Sequence, residues 1–508
     1  MIPVIDVFAG PGGLNEGFSS VTNNTGEPVF QTVASIEMEA SAVQTLRFRS
    51  AMRHARRTSG PAKQALNRFL EKKITLNELI NDDDFRICYD HAKGEVHQFE
   101  LGPDTRKESD EIIRQALAPH NGPWVLIGGP PCQAYSLAGR SRRVHDENFE
   151  DDHKHFLYKE YLNIIRQHRP PVFVMENVKG LLSSVNRGLR MFDLIRKDLE
   201  HPNEDLEYNL FSMVSSNTGE YLDAKDFLIH AENYGIPQRR HRVIIVGILK
   251  YSGILAPEPL RPRSKINVGD AIFDLPPLRS SVSRTVDPFG SLWEETRDAV
   301  RTKASVLGVP FSAYPGLKTT SDQAAGMALD ENGIDSVACD FRNFVRPPSI
   351  SSMPTWNHHA RSHMVGDLVR YGILSAMSLE RGTSLKVREL DRSLWPNHKN
   401  IDSKVVPFED RFRVQVQNQP STTIVSHIAK DGHYYIHPDP GQMRSLTVRE
   451  AARLQTFPDD YIFLGTRTQQ FTQVGNAVPP LLARSIGSSI YSAIRDSVFF
   501  ERGTNNWR

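Results

Sequence analysis

Short, dense apolar runs alternate along this chain with longer stretches in which apolar residues recur every three or four positions. The runs PVIDVFAG (3–10), FQTVASIE (30–37), PWVLIGG (123–129), PVFVMENV (171–178) and RHRVIIVGIL (240–249) read as strands, most of them buried. PGGLNEGFSSV (11–21) reads as a turn entering a helix, and MEASAVQTLRFR (38–49) and FLYKEYLNIIRQHR (156–169) have helical spacing. Apolar strands separated by helices predict an α/β fold: a Rossmann-like, doubly wound, mostly parallel sheet.

Two stretches break the rhythm. Residues 47–120 open on the strongly basic RFRSAMRHARRTSGPAKQALNRFLEKK and pass through the acidic NDDDF. They read as an insertion, either a solvated helical excursion or a basic arm near a polyanion. From about 251 to 410, prolines, polar stretches and scattered arginines and histidines predict a smaller, irregular module. Beyond it, SLTVREAARLQTF (445–457) predicts a helix capped by Thr447, with Glu450 three residues on. QVGNAVPPLLARSIGSSIYSAI (473–494) predicts a loop and then a long apolar helix packing back on the sheet. The expected organisation is a core over 1–250 carrying the insertion, a second domain over 251–410, and a return segment over 411–508.

Composition adds limits. With 508 residues, 39% hydrophobic and 24% charged, the chain has the make-up of a large globular protein. A net charge of +1 gives no global argument for binding a polyanion, so any such argument rests on local patches. The opening MIPVIDVFAG reads as a strand rather than a secretory leader, and no apolar run approaches the ~20 residues of a membrane span. Cys88, Cys132 and Cys339 form no Cys-x-x-Cys pair. Neither a disulfide framework nor a structural zinc site is expected, and a reducing cytoplasm is the expected home.

Candidate chemistry sits where strands end. After Asp6-Val7-Phe8 comes a turn containing Gly10, Gly12 and Gly13, which either brings backbone N–H groups close to a ligand or simply makes a tight connection. The second strand ends at Glu37, an acid placed to accept from ribose hydroxyls or to lie at a helix entrance. Together they favour an adenosyl cofactor. GGPPCQAYS (128–136) holds Cys132 on a stiff corner at a strand exit. A buried, inert thiol is the commoner fate of a lone cysteine, but this corner suits a nucleophile better. Met175-Glu176-Asn177 offers a carboxylate for proton transfer, or a helix-capping pair. In YGIPQRRHR (234–242), alternation into a strand predicts Arg240 and Arg242 on one face.

Taken in order, DVFAGPGGLNEGF, GGPPCQAYS, MENVKGL, NYGIPQRRHRVIIVG, LTVREAARLQTFPDDY and QVGNAVPP make the chain resemble the DNA (cytosine-5)-methyltransferases of bacteria and phages. The resemblance implies methyl transfer from S-adenosylmethionine, leaving S-adenosylhomocysteine, to carbon 5 of a flipped-out cytosine in double-stranded DNA. It assigns attack at carbon 6 to Cys132, ring contacts to Glu176 and Arg242 with Arg240 alongside, and no metal. It places Phe8, Gly10, Gly12, Gly13, Glu37, Met38 and Asn476 around the cofactor, with Glu100 a candidate for the acid that contacts adenine. Gln133, Ser136, Arg140, Arg142 and Arg143 fall on a loop that closes over DNA. The 251–410 module becomes a target-recognition domain. In its WNHHARSH (356–363), His359 and His363 are spaced for one helix face, but too few ligands accompany them for zinc. RFRVQ (411–415) and SHIAKDGHYYIHPDP (426–440) read as the return into the core. The expected setting is a monomer in a restriction–modification or related defence system, with a restriction endonuclease as a possible partner. The competing readings are a transfer-RNA cytosine methyltransferase on the same fold and a catalytically silent DNA-binding relative.

Overall fold

The computed structural model describes residues 1–58, 60–131, 157–186, 189–216, 222–285, 287, 290–314, 338–350, 352–396 and 411–497. Cys132, Gln133, Ser136, Arg140, Arg142 and Arg143 lie outside them.

In chain order the core elements are β1 (Ile2–Val7), α1 (Gly13–Ser19), β2 (Phe30–Glu37), α2 (Ala40–Arg57), α3 (Pro61–Leu70), α4 (Leu76–Asn81), α5 (Asp83–Glu95), β3 (Val96–Gln98), α6 (Arg106–Leu117), β4 (Val125–Gly128), α7 (Leu157–His168) and β5 (Val172–Val178). They continue as α8 (Met191–Glu200), β6 (Tyr208–Phe211), β7 (Leu228–His230) and β8 (His241–Leu249). The strands form one eight-stranded sheet in the order β3-β2-β1-β4-β5-β8-β6, with β7 also paired to β8. The first five strands in this order are parallel, and β8 runs antiparallel to its three partners. The predicted doubly wound sheet is present. Apolar side chains alternate between its faces: Val4, Val125 and Val174 enter one core, and Ile5, Leu126 and Phe173 enter the other.

The first face is covered largely by the far end of the chain. After the long helices α9 (Ser291–Val306) and α10 (Val365–Arg381) of the second module, α11 (Val448–Leu454), α12 (Arg467–Asn476) and α13 (Pro480–Arg495) follow one another there. Thr447 caps α11 in a reciprocal box with Glu450, as its spacing predicts. The long apolar helix returns as α13, burying Leu482, Ile486, Ile490 and Ile494 against α1 and the sheet. Residues 473–476, predicted as loop, are instead the last turn of α12, because the reciprocal cap of Thr466 and Gln469 starts a helix that runs on to Asn476.

The insertion is helical, as expected, but one side of it is packed rather than solvated. Helices α2 to α5 share an apolar cluster around Phe48, Leu66, Phe69 and Phe85, which Ile350, Met353 and Ile462 join, and the segment then adds β3 to the sheet. Much of its positive charge is bound internally. Arg49 and Arg53 each lie 2.5 Å from the buried Glu16, and Arg49 and Arg56 both pair with the buried Asp460.

A further apolar cluster joins Val282, Trp293, Val300, Leu368 and Leu374 to Phe412, Val414, Ile436 and Met443. RFRVQ and the segment around Ile436 thus pack within the second module as well as leading back to the core. WNHHARSH is not helical: Ser362–His363 is a two-residue strand paired with Ser281–Val282. Hydrogen bonds hold the segment out of a helix. His358 engages Thr447 Oγ1 at 2.9 Å and the Pro276 carbonyl at 2.8 Å, and His363 engages Ser445 Oγ at 3.0 Å.

Candidate active site

The carboxyl ends of β1, β2, β4 and β5 converge on one sheet edge, where an open α/β fold places its ligands. At the end of β1, Phe8 and Gly10 adopt left-handed φ angles of 53° and 54° and Gly12 one of 86°, which turns the chain sharply into α1. A Cβ on Gly10 would meet nothing within 4 Å, so the backbone there faces open space. A Cβ on Gly13 would collide with the carbonyl of Val478, so the first turn and the GNAVPP loop fit together only through a glycine. Asn476, two residues before Val478, is exposed at the end of α12.

Glu37 closes over the turn from β2. One carboxylate oxygen accepts the Gly10 N–H and the other the Glu39 N–H, each at 2.8 Å. Burial raises its pKa, and the backbone donors only partly offset this. Met38 beside it is 55% exposed, free to lie against a flat ligand. Gln98 pairs with Glu37 across β2 and β3, so the exposed Glu100 leaves the sheet at the same edge.

Sequence reasoning passed over Asp6. Its carboxylate is buried with both oxygens lacking a hydrogen-bond partner, and burial, then Glu37, pushes its pKa well up. Its position at the strand end, two residues before Phe8, was the available signal. A buried carboxyl group without a hydrogen-bond partner is costly, and the rise in its pKa lowers that cost by favouring the neutral form.

The second half of the site lies on β4, β5 and β8. Glu176 on β5 faces Arg242 on β8, with Arg242 Nε 2.8 Å from Glu176 Oε1 but the N–H out of hydrogen-bond alignment. Arg242 Nη1 donates to the His241 carbonyl at 2.9 Å. The Gly129-Pro130-Pro131 corner passes close to Glu176: a Cβ on Gly129 would stand 3.0 Å from Glu176 Oε2. Gly129, which makes this approach to Glu176, is three positions before Cys132 in the sequence.

Arg240 is the residue immediately before β8, and it senses the charges of both Arg242 and Glu176. It is 2% exposed and donates to the carbonyls of Ile424, at 2.8 Å, and Gly475, at 3.3 Å. Burial, then the neighbouring Arg242, disfavours its charge and lowers its pKa. Its guanidinium fastens the α12 end and the 424 segment to the strand entrance.

The sequence profile of the C-5 cytosine-specific DNA methylases matches residues 102–492. The chain belongs to this family. It is a DNA (cytosine-5-)-methyltransferase, of an S-adenosylmethionine-dependent class. The methylase is 30% identical to type II methyltransferase M.Bpa9945I of Bacillus paralicheniformis, over 97% of this chain and 99% of that one. It is 26% identical to DNA (cytosine-5-)-methyltransferase M.ApeKI of Aeropyrum pernix, over 72% and 80% of the two chains. Its fold matches the crystal structure of an E. coli prophage-encoded protein described as a DNA modification methyltransferase, with a TM-score of 0.54, 18% identity and coverage of 98% and 100%.

Proposed function

We propose that the methylase modifies carbon 5 of a flipped-out cytosine in one short duplex DNA sequence, through a covalent adduct on Cys132. The observation that carries this reading is the Glu176–Arg242 pair, with the Gly129-Pro130-Pro131 corner close to Glu176. In this reading Cys132 adds as thiolate to carbon 6, and the electron pair of the 5,6 double bond moves onto carbon 5 and into the ring. Glu176 holds or protonates ring nitrogen 3, and Arg242 faces the ring carbonyl, both acting on charge that develops only as the adduct forms. S-adenosylmethionine, when bound, supplies the methyl group as an electrophile. A base then removes the carbon 5 proton, the double bond re-forms and the Cys132 sulfur leaves.

Phe8, Gly10, Gly12, Gly13, Glu37, Met38 and Asn476 hold the cofactor in this reading. Its hydroxyls match the Glu37 carboxylate that closes over the turn. Gln133, Ser136, Arg140, Arg142 and Arg143 contact DNA, and the 251–410 module selects the sequence. Arg240 serves as a positioning residue. The type II names of the relatives support a place in restriction–modification.

Bisulfite sequencing of DNA from cells expressing the methylase tests the reading. Protected cytosines are expected within one short motif, and none with Cys132→Ala. Methyl incorporation confined to transfer RNA, or protection that survives Cys132→Ala, overturns it.

A further inference from the structure

The antiparallel pairing of β7 with β8 sets His230 directly opposite His241. Their rings lie 4.0 Å apart. Glu232 follows β7 by two residues and turns back toward both: its Oε1 is 3.0 Å from His241 Nε2 and 4.0 Å from His230 Nδ1. The three ligand atoms all fall within 4.8 Å of one another, the only such group of His, Cys, Asp and Glu among the described residues. Glu232 Oε2 is buried and has no hydrogen-bond partner. The side chains are 44%, 13% and 27% exposed for His230, Glu232 and His241, so an ion reaches them from solvent.

We propose that His230, Glu232 and His241 form a binding site for one first-row divalent transition ion of the zinc class. Two imidazole nitrogens and one carboxylate oxygen are a suitable donor set, with a fourth position left to water. Metal–ligand bonds of about 2.0–2.2 Å require the three donors to close by small side-chain rotations, because two are already at hydrogen-bond distance. The ion displaces the His241–Glu232 contact and engages a carboxylate whose second oxygen lacks a donor. Lys179 is the nearby positive charge opposing it.

The site is separate from methyl transfer. Side chains alternate along β8, so His241 and Arg242 project to opposite faces of the strand. The role is a clamp, pinning β7 to the first residue of the strand that carries Arg242.

Cobalt(II) added to the metal-free full-length protein gives a direct readout, since tetrahedral nitrogen and oxygen ligation produces a visible absorption band. One equivalent is expected to bind, to be displaced by zinc, and to raise the unfolding midpoint. In a chelator-competition titration with zinc, His230→Ala and Glu232→Gln are expected to weaken binding roughly tenfold or more. Methyl transfer by His230→Ala in chelator is expected to equal that of the wild type. Absence of the cobalt band, or unchanged zinc affinity in folded His230→Ala protein, overturns the site while leaving the methyltransferase reading untouched.

Discussion

Gly13, on the first helical turn of the chain, lies flush against the carbonyl of Val478, so that a methyl group in place of its hydrogen would overlap that oxygen. Neither side can retreat easily, because Gly13 opens α1 and Val478 leads into α13, and those two helices pack on each other. Gly13→Ala is therefore expected to cost about 1–3 kcal/mol of stability by overpacking. It should also weaken S-adenosylmethionine binding, because the glycine turn moves with it. Chemical denaturation and cofactor titration check the two effects, and wild-type values in both would show that the contact is slack.

Glu176→Gln and Arg242→Lys each remove one member of the pair at the sheet edge. Each is expected to lower kcat by about 10²–10⁴-fold with little change in DNA affinity, as befits groups acting on developing charge. Single-turnover methyl transfer beside a DNA-binding isotherm separates the two quantities.

Arg240 should behave differently from Arg242 despite being two residues away. Arg240→Lys is expected to leave a buried carbonyl unsatisfied, at a cost of about 1–3 kcal/mol. Thermal unfolding of Arg240→Lys and Arg242→Lys side by side is the check. The former should melt earlier, and the latter should melt near wild type with slow turnover.

Two buried histidines predict an acid-side loss of stability. Burial, before any charge effect, lowers the His358 pKa to about 4 and the His363 pKa to about 3, against 6.5 for the free side chain. As pH falls below 6.5 the unfolded chain takes up protons that these rings refuse, so stability declines until pH passes the folded values. Unfolding free energy measured from pH 7 to pH 4 should fall, and His358→Asn should flatten part of that slope.

Asp460 extends the decline to lower pH. Burial alone would raise its pKa, but Arg49 and Arg56 outweigh it and hold the carboxylate well below its usual range. The stability it contributes is present above the unfolded pKa near 3.8 and disappears as pH falls toward the folded value. At neutral pH, Asp460→Ala removes one of the two carboxylates that face Arg49, leaving Glu16, and is expected to cost about 1–3 kcal/mol. Denaturation of the variant at pH 7 measures this.

The sheet was legible because its strands are short apolar runs bounded by glycine and proline, and FQTVASIE coincides with β2 residue for residue. Alternation could not show what Arg240 holds, because the carbonyls of Ile424 and Gly475 that it binds lie 184 and 235 positions away. The spacing of His359 and His363 resembles a helix, yet hydrogen bonds from sequence-distant residues decide the backbone there. Basic residues of the insertion read as solvent-facing because their partners are remote: Asp460 lies 404 positions beyond Arg56. His230 and His241 meet only through strand pairing, which no local periodicity reveals.

The seam between α1 and α13 has a consequence for how the protein comes into being. Residues 1–20 are synthesised well before their packing partners near Tyr461, Val478 and Ala483, which lie more than 400 positions further along the chain. At about 5–20 residues per second, the opening turn waits roughly half a minute or longer for its other wall. Until those partners are made, the turn after β1 has only one of its two walls, so this seam is closed late in synthesis rather than at its start.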